Sequence, residues 1–139
     1  MTPQPQSGYR AWTADQLTRI GEAEELRLAS RRSDGTLRPS TTMWVAAVDG
    51  DLYVRSAGGP DRPWYRHALA AGQGRIQAGG IEADVRFADA APGAQPAVDA
   101  AYDAKYYRYG PAIVGHVTGP ASHPVTIRLI PTAEERQQP

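Results

Sequence analysis

The chain has 139 residues, with 15 Lys plus Arg set against 15 Asp plus Glu, and no cysteine. Zero net charge argues against a general nucleic-acid binder or a polybasic membrane anchor, since both need a basic excess. The absence of cysteine excludes disulfides, thiolate nucleophiles, Cys–zinc sites and iron–sulfur clusters.

The length suits one domain, able to bury roughly 70% of its unfolded surface. The longest apolar run, residues 43–48, is far short of the ~20 residues that span a bilayer. Residues 1–10 lack the basic-then-apolar pattern of a signal peptide. These features predict a soluble, cytoplasmic protein whose single domain covers residues 11–131, between loose polar tails at 1–10 and 132–139. Fourteen Gly and 12 Pro predict many turns.

In chain order, Thr13 and Gln16 form a capping box at the start of a first helix, with Trp12 and Leu17 at the staple positions. Short alternating strands follow at residues 25–29, 41–48 and 51–56. The Asp34-Gly35 turn lies in the loop after the first of them. Asp49-Gly50 joins the second and third as a hairpin. Leu52 and Val54 face one way there, Tyr53 and Arg55 the other. After a glycine-rich loop, Pro63 stands at the first position of a helix closed by Gly72. Residues 75–78 and 82–89 flank Gly79-Gly80 as a second hairpin. A helix over 96–108, an irregular stretch over 110–123 and a last strand over 125–130 complete the pattern. Strands clustered in hairpins, with helices between them, predict an α+β, mainly β fold. The economical form is a small antiparallel barrel of about six strands with about three short helices, because closure removes sheet edges.

Chemistry concentrates in a few places. Arg55, Ser56, Gly58, Gly59 and Arg62 precede the helix at Pro63, and together they could cradle a phosphate. The plainer reading is a glycine-rich turn with solvated arginines. Trp64-Tyr65 could wall a flat heteroaromatic ring or be core. Arg31, Arg32 and Arg38, followed by Ser40, Thr41 and Thr42, form a second basic and hydroxyl cluster. Tyr102, Tyr106, Tyr107 and Tyr109 surround Lys105, the only lysine. That group could meet a substrate, or its tyrosines could seal the barrel end. His67, His116 and His123 have no metal-ligand spacing, and no metal site is predicted.

The series Gly58-Gly59-Pro60, Pro63-Trp64-Tyr65 and Leu69-Ala70, followed by Ile76-Gln77-Ala78-Gly79-Gly80, resembles the deazaflavin-dependent nitroreductase family. So does the upstream run of Arg32, Asp34-Gly35, Arg38, Ser40, Thr41, Thr42 and Met43-Trp44. The segments around Trp12 to Ile20 and Ala101 to Tyr106 look closer to a small bacterial family of unknown function in the same superfamily. Both groups are similar to the pyridoxamine-phosphate-oxidase-like split β-barrels. The resemblance implies a six-stranded Greek-key barrel, commonly a homodimer, that binds flavin mononucleotide (FMN) or a deazaflavin and transfers hydride to a small organic molecule.

On that resemblance, Arg55, Ser56, Gly58, Gly59 and Arg62 would hold the phosphate side. Arg38, Ser40, Thr41 and Thr42 would meet ring or chain oxygens. Trp64, Tyr65 and His67 would shape the cleft, and Trp44, Tyr102, Lys105 and Tyr106 would contact substrate. The sequence departs from the family at Ala57, where a lysine is frequent, and at His67-Ala68, where Asn-Leu is usual. Arg55, Arg62 or Arg66 would then replace the missing charge. The alternatives are a barrel without a cofactor, acting as a small-molecule binding protein or biosynthetic enzyme, and a purely structural dimer.

Overall fold

The computed structural model describes residues 11–132, so the two predicted tails lie, but for Thr132, outside the described residues. Helix α1 (Ala14–Glu22) starts as the sequence predicts. Thr13 Oγ1 accepts from the Gln16 amide at 3.1 Å, and Gln16 Oε1 accepts from the Thr13 amide at 2.9 Å. Trp12 anchors this entry, its indole N–H donating to the Leu129 carbonyl at 2.9 Å.

Strands β1 (Leu26–Ser30), β2 (Thr41–Met43), β3 (Ala46–Val48) and β4 (Asp51–Arg55) come next. Helix α2 (Pro63–Ala71) then leads into the hairpin β5 (Gln73–Ala78) and β6 (Ile81–Asp89). Helices α3 (Gln95–Tyr106) and α4 (Pro111–Val114) precede β7 (Thr126–Pro131). The α2 helix opens on Pro63 and closes on Gly72, whose φ of 72° is the left-handed cap that only glycine adopts without strain.

All seven strands form one antiparallel sheet in the order β2-β1-β5-β6-β7-β4-β3. The sequence predicts six strands, with residues 41–48 as one continuous strand. That strand is in fact two. Its first half, β2, pairs with β1 at one end of the sheet, and its second half, β3, pairs with β4 at the other. Only Trp44 and Val45 separate them. Two sheet edges tied by two residues must curl toward each other, and this tie is what makes the sheet a split barrel.

The break leaves backbone groups without a ladder partner, and α3 supplies them. Tyr106 Oη accepts from the Val45 amide at 3.3 Å and donates to the Glu24 carbonyl at 2.9 Å. Lys105 Nζ donates to the Val45 carbonyl at 2.8 Å. Tyr102 Oη lies 3.4 Å from the Trp44 carbonyl and 3.3 Å from that of Tyr53. Buried backbone polar groups require such partners.

The alternation read along the strands divides the core in two. Leu26, Leu28, Leu52, Val54, Ile76, Val85, Ile127 and Leu129 fill the barrel with Ile20 of α1. On the outer face, Tyr53 and Ala46 pack against Val98, Tyr102 and Tyr106 of α3 and against Val114 and Val117. No helix among the described residues is long and apolar enough to cross a membrane.

Candidate functional site

A cleft of about 440 Å³ opens where the strand break, the turn after β4 and the α4 segment converge. Thr41, Thr42, Met43 and Trp44 form the wall contributed by β2 and the break. Arg55, Ala57, Gly58, Arg62 and Trp64 form the wall from the end of β4 to the first turn of α2. Ile113, His116 and Val117 close the third side, and Glu25 borders the entrance of β1. The cleft volume falls within the ~300–1,000 Å³ common for small-molecule and cofactor sites.

The cleft's aromatic walls are held by their neighbours. Trp44 stacks on Tyr106 with centroids 4.0 Å apart and planes at 4°. Trp64 meets Tyr65 edge-on at 5.8 Å, and Tyr65 Oη donates to the Pro124 carbonyl at 3.1 Å. The Arg62 side chain lies across Gly58: a Cβ built there would fall 1.6 Å from Arg62 Nε. Glycine at 58 is therefore what lets the guanidinium fold along the cavity rim. The Gly59 φ of 89° completes the turn.

Arg55 behaves differently from the solvated or phosphate-facing arginine that the sequence predicts. It is 2% exposed. Its Nη1 donates to Asp99 Oδ1 at 2.5 Å and to the Val117 carbonyl at 2.7 Å. Its Nη2 donates to Gln95 Oε1 at 2.7 Å, and its Nε to Thr126 Oγ1 at 2.9 Å. Asp99 also meets His123 Nε2 at 3.0 Å and the Gly119 amide at 3.2 Å. Burial pushes the Asp99 carboxyl up, but the hydrogen bonds from His123, Arg55 and Gly119 outweigh it and hold it below the usual carboxylate range. Arg55 thus ties β4, α3, β7 and the 117–125 segment together behind the cleft it borders, its side chain fully buried.

Of the residues the sequence singles out, Thr41, Thr42, Trp44, Arg55, Gly58, Arg62 and Trp64 come together in this cleft. Arg38 and His67 border a smaller cavity of about 170 Å³ whose walls include the same Thr41 and Trp64. Ser40 lies outside the cleft, in a cavity of about 180 Å³ that it shares with Arg27, Arg38 and Arg75. Ser56 is buried and its hydroxyl donates to the Gly59 carbonyl at 2.5 Å, inside the turn. The Gly59 amide is engaged in the same turn with the Ser56 carbonyl at 3.0 Å. Tyr65 is buried, as are Tyr102 and Tyr106 behind the strand break. Lys105 borders a separate groove between α1 and α3, and burial brings its ammonium down to about 8. Glu25, Met43, Ala57, Ile113, His116 and Val117 line the cleft without having been singled out as contact residues. No pattern in the 110–123 stretch marks it as a cavity wall, because its residues reach the cleft through a tertiary turn rather than a periodic element.

The family model described as an uncharacterized protein conserved in bacteria, DUF2255, matches residues 16–129. No curated protein matches the chain. Among solved structures, the chain is similar to the protein Atu2129 of unknown function from Agrobacterium tumefaciens, with 16% identity and a TM-score of 0.64. The match covers 86% of this chain and 54% of that one, so the chain spans about half the length of that relative. It is similar to an FAD-binding protein from Mesorhizobium loti, with 23% identity, TM-score 0.52, and coverage of 88% and 91%. It is also similar to a candidate pyridoxamine 5′-phosphate oxidase from Listeria innocua, with 14% identity, TM-score 0.52, and coverage of 86% and 90%. At these identities the likeness is one of fold.

Proposed function

We propose that this chain, which belongs to the DUF2255 family of bacterial proteins, binds FMN or a deazaflavin in the cleft and acts as an oxidoreductase on a small organic molecule. The observation that carries this reading is the composition of one cavity. An indole-bearing residue on each of two walls, two threonines and a guanidinium folded over a glycine line about 440 Å³. A flat, polar-edged ring with an anionic chain needs those three kinds of contact.

The fit is best on the ring side. Trp44 and Trp64 would wall the ring, and Thr41 and Thr42 would meet its polar edge. Arg62 would carry the anion grip. Arg38, in the adjoining cavity with His67, extends the positive lining past the shared wall of Thr41 and Trp64. Ser56 is not available to that grip while its hydroxyl holds the Gly59 carbonyl, and neither is Arg55, whose buried guanidinium is engaged with Asp99, Val117, Gln95 and Thr126. A bound flavin or deazaflavin supplies the hydride chemistry. The chain binds and orients it and keeps water from its ring. A homodimer, with the cleft near the shared face, belongs to the same proposal.

Titration of the purified chain with FMN and with deazaflavin, followed by fluorescence, tests the reading. Micromolar or tighter binding of either is expected. Arg62→Ala should weaken it about tenfold, the effect of losing one charge-assisted hydrogen bond. A folded chain that binds neither would overturn the reading in favour of a cofactor-free small-molecule binding protein. The internal engagement of Ser56 and Arg55, and Ala57 where related sequences carry lysine, are what speak for that second reading.

A further inference from the structure

The cleft carries a second charged group that the flavin reading leaves unused. Glu25 stands immediately before β1 and Trp44 immediately after β2, each one residue beyond the Leu26–Met43 pair that ends their ladder. Both residues line the same cavity.

Each member of this pair has free capacity. Glu25 is exposed and makes no ion pair among the described residues. Its neighbour Glu24 is the contrast, with its carboxylate held by Arg108 and Tyr109. Trp44 has one face covered by Tyr106. Tyr109 lies 5.1 Å from Trp44 and 6.4 Å from Tyr106, while Trp44 and Tyr106 are 4.0 Å apart. Those three separations form a right-angled triangle at Trp44. Tyr109 therefore stands to the side of the Trp44–Tyr106 stack rather than opposite Tyr106 across the indole. A cleft-lining indole beside an unpaired carboxylate is the chemistry that attracts an organic cation. Arg62, the cleft's exposed cation, comes from a different wall, so the cavity presents opposite charges on separate elements.

We propose that the cleft takes a substrate bearing a cationic nitrogen, an alkyl- or arylammonium, held between the Glu25 carboxylate and the Trp44 ring. Calling that molecule a substrate rests on the oxidoreductase reading; the cation site itself does not.

The test is a binding titration of the full chain with benzyltrimethylammonium, benzyl alcohol and benzoate, read by tryptophan fluorescence, with and without FMN. The cation should bind about tenfold tighter than the alcohol, and benzoate more weakly than either in the Glu25 half of the cleft. In Glu25→Gln, an exposed and nearly isosteric change, the preference for the cation should collapse while the alcohol binds as before. In Arg62→Gln the preference should persist. Equal affinity for cation and alcohol in the parent chain, or a preference that survives Glu25→Gln, overturns the proposal. If FMN fails to bind but the cation preference holds, the oxidoreductase reading falls and the cation site stands. If FMN binds and the preference is absent, the cation site falls alone.

Discussion

Replacing Arg55 by methionine separates a structural role from a cofactor role. The change removes four hydrogen bonds reaching Asp99, Val117, Gln95 and Thr126. Removing one partner of a buried ion pair typically costs about 3–5 kcal/mol, because the other charge stays behind unpaired. The low end applies here. Asp99 keeps His123 and Gly119, and a quarter of its side chain reaches solvent. A loss of about 3 kcal/mol corresponds to a Tm about 10 °C lower for a domain of this size. Circular dichroism melts and urea titrations at pH 7 measure it. A double-mutant cycle with Asp99→Asn should give a coupling above about 1 kcal/mol, since the two side chains are in direct contact. A fall in Tm under about 3 °C, with cofactor affinity lost instead, would refute the structural assignment. The same pair sets an acid limit. The folded Asp99 carboxyl lies below its unfolded value of about 3.9. Its contribution is therefore present above that value and is lost as pH falls through the folded one. The Arg55→Met chain should show a shallower loss of stability on acidification below about pH 4.

Two further outcomes follow from the packing. Gly74→Ala would place a Cβ 2.1 Å from the Ala29 carbonyl oxygen and 2.9 Å from Ser30 Cα. Strands β1 and β5 would have to part, at a cost of about 1–3 kcal/mol or more; an unchanged urea midpoint would contradict the β1–β5 register. Lys105 titrates at about 8 in the folded chain because of burial and near 10.4 when unfolded. Between those values the unfolded chain holds more protons, so stability rises with pH. Lys105→Met should flatten that rise between pH 8 and about 9.5, below the tyrosine range near 10. Urea midpoints across that window measure the slope, and a slope identical to the parent's would contradict the burial of this ammonium.

Local chemistry made much of the fold legible. The Thr13–Gln16 box, Pro63 and Gly72 around α2, and the Asp49-Gly50 and Gly79-Gly80 turns all act within a few residues, so the sequence carries them directly. The face alternation of Leu52 and Val54 against Tyr53 and Arg55 was equally readable. What covers each face was not. Arg55 reads as a surface cation because period-two alternation places it on the side away from the barrel interior. Only the docking of α3 and the 117–125 segment turns that side into a second core. The site divided the same way. Thr41, Thr42, Trp44, Gly58, Arg62 and Trp64 stand in short contiguous motifs, and the fold gathers them. Glu25, Ile113 and His116 join them across long stretches of chain.

The sequence alone determined the element types, the hairpins, the caps and the barrel class, because hydrophobic period and turn chemistry are local properties. It could not break the strand at Trp44-Val45. Both halves keep the same alternation, and the break exists only because their partners β1 and β4 stand on opposite sides of one sheet, separated by β5, β6 and β7. Tertiary structure alone decided that closure. It also decided that Tyr102, Lys105 and Tyr106 satisfy the backbone at the seam, and that the cleft opens beside it. A backbone group without a ladder partner must find one wherever the chain has already brought a donor or acceptor within reach.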